Sequence, residues 1–345
     1  MQQKEFPWHD APWRGLTTRV GALPHAILVR GRSGLGKTAL AMRFAGWLLC
    51  EAQPKPPEAA CGRCPACNWF AQNNHPDFRR VEPEALAESA APAGEAAGEA
   101  ATGGRGAAKP SRQIKVDQIR ALGDFLALGT HRAGVRIALV RPAEAMNAST
   151  ANALLKALEE PPPKTLFLLV SSQPARLLPT IRSRCQAIDV PTPTPDEALA
   201  WLRAQGVTAP EHALAYTGHA PLEAAVESGS SELREAFVAS FSGGFEPLGA
   251  VDGWQRFGHA EVVDALQKWV FDGVQLRIGG MPRYFPGHDG TIAASVSHAS
   301  TTALTAFARH LARARREAPH PLNPRLFLES LALGLSRLNE APHVR

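Results

Sequence analysis

No stretch of this 345-residue chain is apolar for long enough to cross a bilayer. The longest apolar run near the start centres on Phe44 to Leu49, well short of the roughly 20 residues that a spanning helix needs. The opening MQQKEFPWHD has no apolar core behind a basic stretch, so no export signal is read and a cytoplasmic location is expected. Cysteines number 5. In a reducing compartment so few do not suggest a disulfide framework, and metal becomes the question to ask of them. Residues 84–110 lack aromatics altogether and are almost entirely Ala, Gly, Glu and Pro. Such a segment buries too little surface to order itself, so it is expected to be a flexible insert, or at most a frayed Ala-rich helix.

What remains is ordinary globular composition, 45% hydrophobic and 20% charged, in a chain long enough for two or three domains. The net charge of +5 permits contact with nucleic acid without demanding it, since a solvated basic surface explains it equally well. His25 to Val29 reads as a short strand, Gly31 to Thr38 as a glycine loop, and Ala39 to Cys50 as a helix. Val116 to Leu128 then reads as a helix and Val135 to Val140 as a buried strand. Asn147 to Glu160 is a helix stopped by Pro161, Pro162 and Pro163, and Thr165 to Ser171 is another strand. Strands that are apolar throughout, alternating with helices, predict an α/β fold with a parallel sheet covered on both faces. After Pro191 only helices are expected, among them Asp196 to Gln205 and Leu222 to Ser228. The last is capped by Asn323, has Pro324 at its first position, and presents Leu326, Phe327, Leu331, Leu335 and Leu338.

The loop Gly31-Arg-Ser33-Gly34-Leu35-Gly36-Lys37-Thr38 fits the P-loop pattern in full, between a strand and a helix as that pattern requires. Its N–H groups would cradle phosphates, Lys37 would reach the β and γ phosphates, and Thr38 would ligate magnesium. The bland alternative is a chance glycine turn. Hydrolysis asks for acidic residues at the end of a second strand to hold magnesium and orient water. Here the strand ends in Arg141-Pro142, with Glu144 the nearest acid. Arginine opposes magnesium and proline fixes the chain, so the loop is expected to bind nucleotide without hydrolysing it. Glu144 could serve only if the strand end were reshaped.

Cys50, Cys61, Cys64 and Cys67 follow C-x10-C-x2-C-x2-C spacing, which suits a closed, structural four-sulfur zinc site. A redox dithiol or free core cysteines are the alternatives. Cys185 stands apart.

With these motifs in view, Asn152-Ala-Leu-Leu-Lys-Ala-Leu-Glu-Glu-Pro-Pro162, followed by Ser183-Arg184-Cys185, resembles the clamp-loader branch of AAA+ proteins. So does the cysteine insert, with His75-Pro76-Asp77 just after it. The resemblance runs from Phe6 to about Val190, then more faintly to the last helix. Within that branch the hydrolysing gamma/tau type carries an Asp-Glu pair where this chain has Arg141-Pro142. It also carries a nucleotide-sensing lid arginine that Gly218 to Ala225 lacks. Loss of both, with Ser183-Arg184-Cys185 retained, is similar to the delta-prime type, although the P-loop here is intact where some delta-prime loops are degenerate.

The resemblance implies a RecA-like AAA+ sheet over 1–191 with a zinc module at 50–67, a helical lid over 192–231 and a helical collar over 232–345. It implies that Arg184, with Ser183, is an arginine finger offered in trans to a neighbouring ATPase. The implied partners are gamma/tau and delta subunits in a pentameric ring, with the sliding clamp and primed DNA engaged through the complex and no membrane. Structural zinc is the implied cofactor, with ATP or ADP and magnesium at the P-loop. A hydrolysing gamma/tau-type ATPase and an unrelated nucleic-acid-binding P-loop regulator are the competing readings.

Overall fold

A computed structural model describes residues 6–90, 110–132, 134–226, 231–318 and 323–339. They fall into two compact units, Met1–Pro193 and Thr194–Arg345.

The first unit contains α1 (Asp10–Thr17), β1 (Ala26–Arg30), α2 (Lys37–Leu49), α3 (Pro65–Ala71), β2 (Phe78–Val81) and α4 (Glu84–Ala90). It continues with α5 (Val116–Ala127), β3 (Arg136–Val140), α6 (Ala148–Glu159), β4 (Thr165–Ser171), α7 (Pro179–Arg184) and β5 (Gln186–Asp189). The strands form one parallel sheet in the order β2-β3-β4-β1-β5. Every residue of β3 and β4 is buried. Ala26, Leu28, Ala138, Val140, Phe167 and Leu169 face a core with α5, α6 and Ile181 of α7. The intervening Ile27, Val29, Leu139 and Leu168 are equally buried on the other face. That double coverage is why the strands are apolar throughout rather than alternating. β1 sits between β4 and β5, with Arg30 opposite both Ser171 and Asp189. The chain leaves β1 at the carboxyl edge of the sheet, where open α/β sheets place ligands.

The expected helix at Asn147 to Glu160 forms with Asn147 as its cap, the side chain accepting from Thr150 N at 2.9 Å. Two strands escaped the sequence reading, because Phe78–Val81 and Gln186–Asp189 are four-residue edge strands that are not apolar throughout. The expected flexible insert is corrected at its start. Glu84–Ala90 is helical, pinned where Glu84 accepts from Ser111 N at 3.1 Å and pairs with Lys115 at 2.5 Å. Residues 91–109 of that insert lie outside the described residues.

The second unit is helical: α8 (Pro195–Ala204), α9 (Pro210–Tyr216), α10 (Pro221–Val226), α11 (Ser231–Ala239), α12 (Pro247–Trp254), α13 (His259–Arg277), α14 (Asp289–Ser295), α15 (Thr301–Glu317) and α16 (Pro324–Ser336). Leu202, Leu214 and Ala224 make a small core among the first three helices. A larger one gathers Phe237, Trp254, Trp269 and Phe285 with the inner faces of α13, α15 and α16. Asn323 caps α16 as expected, and of the expected stripe Leu331 and Leu335 are buried while Phe327 and Leu338 pack against the same core; Leu328 and Ala332 join them, and Leu326 is exposed. Among the described residues no helix is long and apolar enough to cross a membrane.

Candidate functional site

The P-loop leaves β1 and closes on α2, whose first residue is Lys37. Two of its glycines are sterically required. A Cβ on Gly31 would stand 2.7 Å from Val190 O, and one on Gly36 would stand 2.8 Å from the Phe6 ring. Gly36 also has φ of 77° as the cap of α2, a left-handed conformation that side chains disfavour. Leu35 is buried beneath the loop and Ser33 is exposed upon it. Gly34 has φ of 71°, and Thr38 follows Lys37 in the first turn of the helix. The Lys37 ammonium folds back to the carbonyl of Arg32.

A segment that the sequence reading passed over holds this loop. Trp8 Nε1 and His9 Nε2 both reach the Leu35 carbonyl, at 2.9 and 2.8 Å, and Phe6, Trp8 and His9 are all buried. With Leu35 O as the acceptor, His9 carries its proton on Nε2. Burial, more than the nearby Arg43, holds the His9 pKa below its usual value. The available signal was the crowding of Phe6, Trp8 and Trp13 in a chain only 7% aromatic.

The end of β3 has no acid to offer the loop. Arg141 is drawn to Glu82 at 2.5 Å, and Glu82 also takes Arg80 at 3.0 Å, so the one carboxylate beside β2 is shared by two guanidiniums and the group stays positive. Glu144 lies in a single 3-10 turn after β3, where its Oε1 accepts from Ser172 N at 3.0 Å, just past β4. That bond ties the two strand ends together.

Cys50 caps the C-terminus of α2 and Cys64 the N-terminus of α3. The Sγ atoms of Cys50, Cys61, Cys64 and Cys67 lie within 4.8 Å of one another, with Cys61 and Cys67 at 3.9 Å. Tetrahedral zinc with Zn–S near 2.3 Å implies sulfur pairs about 3.8 Å apart, so the four fit a metal with little movement. Backbone N–H groups support the thiolates: Cys61 N donates to Cys50 Sγ and Cys67 N to Cys64 Sγ, each at 3.4 Å. The N–H groups of Arg63 and then Cys64 bring the Cys61 thiol down to about 6, whereas burial pushes Cys67 up. Cys185 is outside this group, packed against the sheet core, and burial raises it to about 11.

Arg184 ends α7. Its NH1 donates to Thr180 O at 3.1 Å and its NH2 meets Glu159 Oε1 at 2.9 Å, with 36% of the arginine side chain and 50% of the glutamate still exposed. An ion pair this open is worth at most about 1 kcal/mol, so the guanidinium is oriented but not locked. Ser183 is exposed and donates to Thr180 O at 3.0 Å. Gly218 and His219 both have positive φ before α10, and Gly218 to Ala225 contains no arginine.

A parallel sheet with a loop of P-loop pattern at the carboxyl end of a central strand, joined to a four-cysteine cluster and followed by helices, defines an α/β module with an insert whose cysteines could hold a metal ion. A sequence model of the family described as "DNA polymerase III, delta subunit" matches residues 16–194. With more than half its length covered, the chain belongs to that family. The DNA polymerase III subunit delta' of Pseudomonas aeruginosa is 42% identical over 224 residues, covering 64% of this chain and 60% of that protein. Its counterpart from Yersinia pestis is 35% identical over 202 residues, covering 58% and 52%. The similarity thus spans only 60% of the length of the Pseudomonas relative. A solved DNA polymerase III gamma-subunit-related protein from Thermotoga maritima aligns with a TM-score of 0.47 at 15% identity, covering 95% of this chain and 100% of that one.

Proposed function

We propose that the chain acts as a delta-prime-type clamp-loader subunit. It binds nucleotide without turning it over and offers Arg184 to the nucleotide of a neighbouring ATPase subunit. The reading rests on an asymmetry. This chain's own β3 ends in Arg141-Pro142, with Arg141 committed to Glu82, while Arg184 stands half-exposed at the end of a helix. A guanidinium is permanently charged and forked, which suits it to the charge that develops on a transferring phosphoryl group.

In this proposal Gly31 to Thr38 cradle ATP or ADP, with Lys37 at the β and γ phosphates and Thr38 at magnesium. Cys50, Cys61, Cys64 and Cys67 hold one structural zinc. Residues 192–231 form the lid, a division supported by their separate small core, and 232–345 form the collar. The partners are gamma/tau and delta subunits in a pentameric ring that places a sliding clamp on primed DNA.

The test is reconstitution with gamma/tau and delta subunits. Arg184→Ala should assemble normally but lower clamp- and DNA-stimulated ATP turnover by about 10³-fold at the partner site it serves. Unchanged turnover in the assembled variant would remove the finger role. Steady turnover by the isolated chain would instead favour a hydrolysing gamma/tau-type subunit.

A further inference from the structure

Cys50 closes α2 as its C-cap, which places one ligand of a four-thiolate site at the negative end of a helix. The last carbonyls of a helix also lack intrahelical partners. Zinc held by four thiolates carries a net charge of about −2. The insert therefore concentrates negative charge where the helix already supplies it, and something must offset it.

Lys55 stands at that point. Its Nζ donates to Trp47 O at 3.0 Å and to Leu48 O at 2.6 Å. Trp47 O also accepts from Cys50 N at 3.3 Å, so the ammonium and the ligand's own backbone share one acceptor. The ammonium lies 5.1 Å from the centre of the Trp47 ring. Burial lowers its pKa, while Cys50, Cys67 and Cys64 are near enough to pull it back up.

The loop that carries Lys55 is fixed immediately downstream. Trp47 Nε1 donates to Pro56 O at 2.6 Å, Trp13 Nε1 to Pro57 O at 3.2 Å, and Arg43 Nε to Glu58 O at 3.0 Å. Three side chains thus hold three consecutive carbonyls, and the lysine has little freedom to leave. Of the charged residues beside the cysteines in sequence, Glu51 pairs with Arg132 at 2.9 Å and Arg63 is exposed.

We propose that Lys55 is the counter-cation of the four-cysteine metal site, offsetting both the thiolates and the carboxyl end of α2 and thereby setting metal affinity. The inference rests on the reading of those cysteines as a metal site. Its physical content is charge. A lysine present only to cover Trp47 with its stem would be replaced by methionine at no cost to the metal.

Zinc affinity should be measured on the full chain by competition with a chromophoric chelator, using zinc alone as the probe. Cobalt substitution would verify by its absorption that each variant keeps four thiolate ligands. Lys55→Met should weaken zinc binding by about 10-fold or more, within the range found for groups that support metal ligands. Acetyl-lysine at position 55 keeps the stem and removes the charge, and should do the same. It also serves if Lys55→Met fails to fold. Lys55→Arg keeps the charge and should remain closer to the parent than to Lys55→Met. Parent-like affinity in the two neutral forms would overturn the proposal, as would equal losses in all three, which would point to stem geometry. A parent chain that binds no zinc would fail one step earlier and take the four-cysteine reading with it.

Discussion

Asp77 and Arg136 form an ion pair at 3.4 Å with each side chain only 1% exposed, and removing the aspartate should cost the first unit several kcal/mol. Asp77 immediately precedes β2, and its backbone carbonyl accepts from Ile137 N. Its carboxylate also takes His131 N at 2.8 Å and Arg132 N at 3.2 Å. Arg136, at the start of β3, gives NH1 to the carbonyl of Phe125 and lies 4.7 Å from that ring. In Asp77→Ala the guanidinium stays buried without its counter-charge, a loss of about 3–5 kcal/mol. The two loop N–H groups lie nearer the surface, where water replaces the carboxylate. For a unit of nearly two hundred residues each kcal/mol moves the melting temperature by about 2–4 °C. The expected drop is therefore about 10 °C, read by calorimetry of the full chain. Combining Asp77→Ala with Arg136→Met removes the stranded charge and should recover at least half of the loss. A single variant that melts within about 2 °C of the parent, or a double variant no better than the single, would refute the reasoning.

Purified chain should contain one zinc, retained in Cys185→Ser and lost in Cys64→Ser, and equal metal content in those two variants would exclude the four-cysteine site. The isolated chain should bind ATP in equilibrium titration yet release no phosphate at steady state, and Lys37→Ala should abolish the binding. Turnover that disappears with Lys37 would contradict the β3-end argument. His9 supplies a pH test. Its folded pKa lies below the usual 6.5, so its contribution is intact above that value and is lost as pH falls toward the folded pKa. The drop in melting temperature between pH 7.5 and 5.5 should be smaller in His9→Gln, which keeps a donor for Leu35 O, and an identical drop would show that His9 is not the group involved.

Whatever depends on neighbours in the chain was written in the sequence. The P-loop and its helix, the Asn147 and Asn323 caps, and the buried strands β3 and β4 are runs of adjacent residues, and the four cysteines recur at short spacing between Cys50 and Cys67, so local chemistry suffices to read them. What only the tertiary structure decided involves residues distant in sequence. Trp8 and His9 meet Leu35 across 27 and 26 positions. Asp77 finds Arg136 only because β2 and β3 pair in parallel. Arg141 could be seen in sequence to stand where a hydrolytic site would place an acid, but its engagement with Glu82 required that same pairing. The edge strands β2 and β5 and the exposure of Leu326 on α16 were hidden for a related reason. A residue's burial there is set by which element arrives against it, and local propensity carries no record of that arrival.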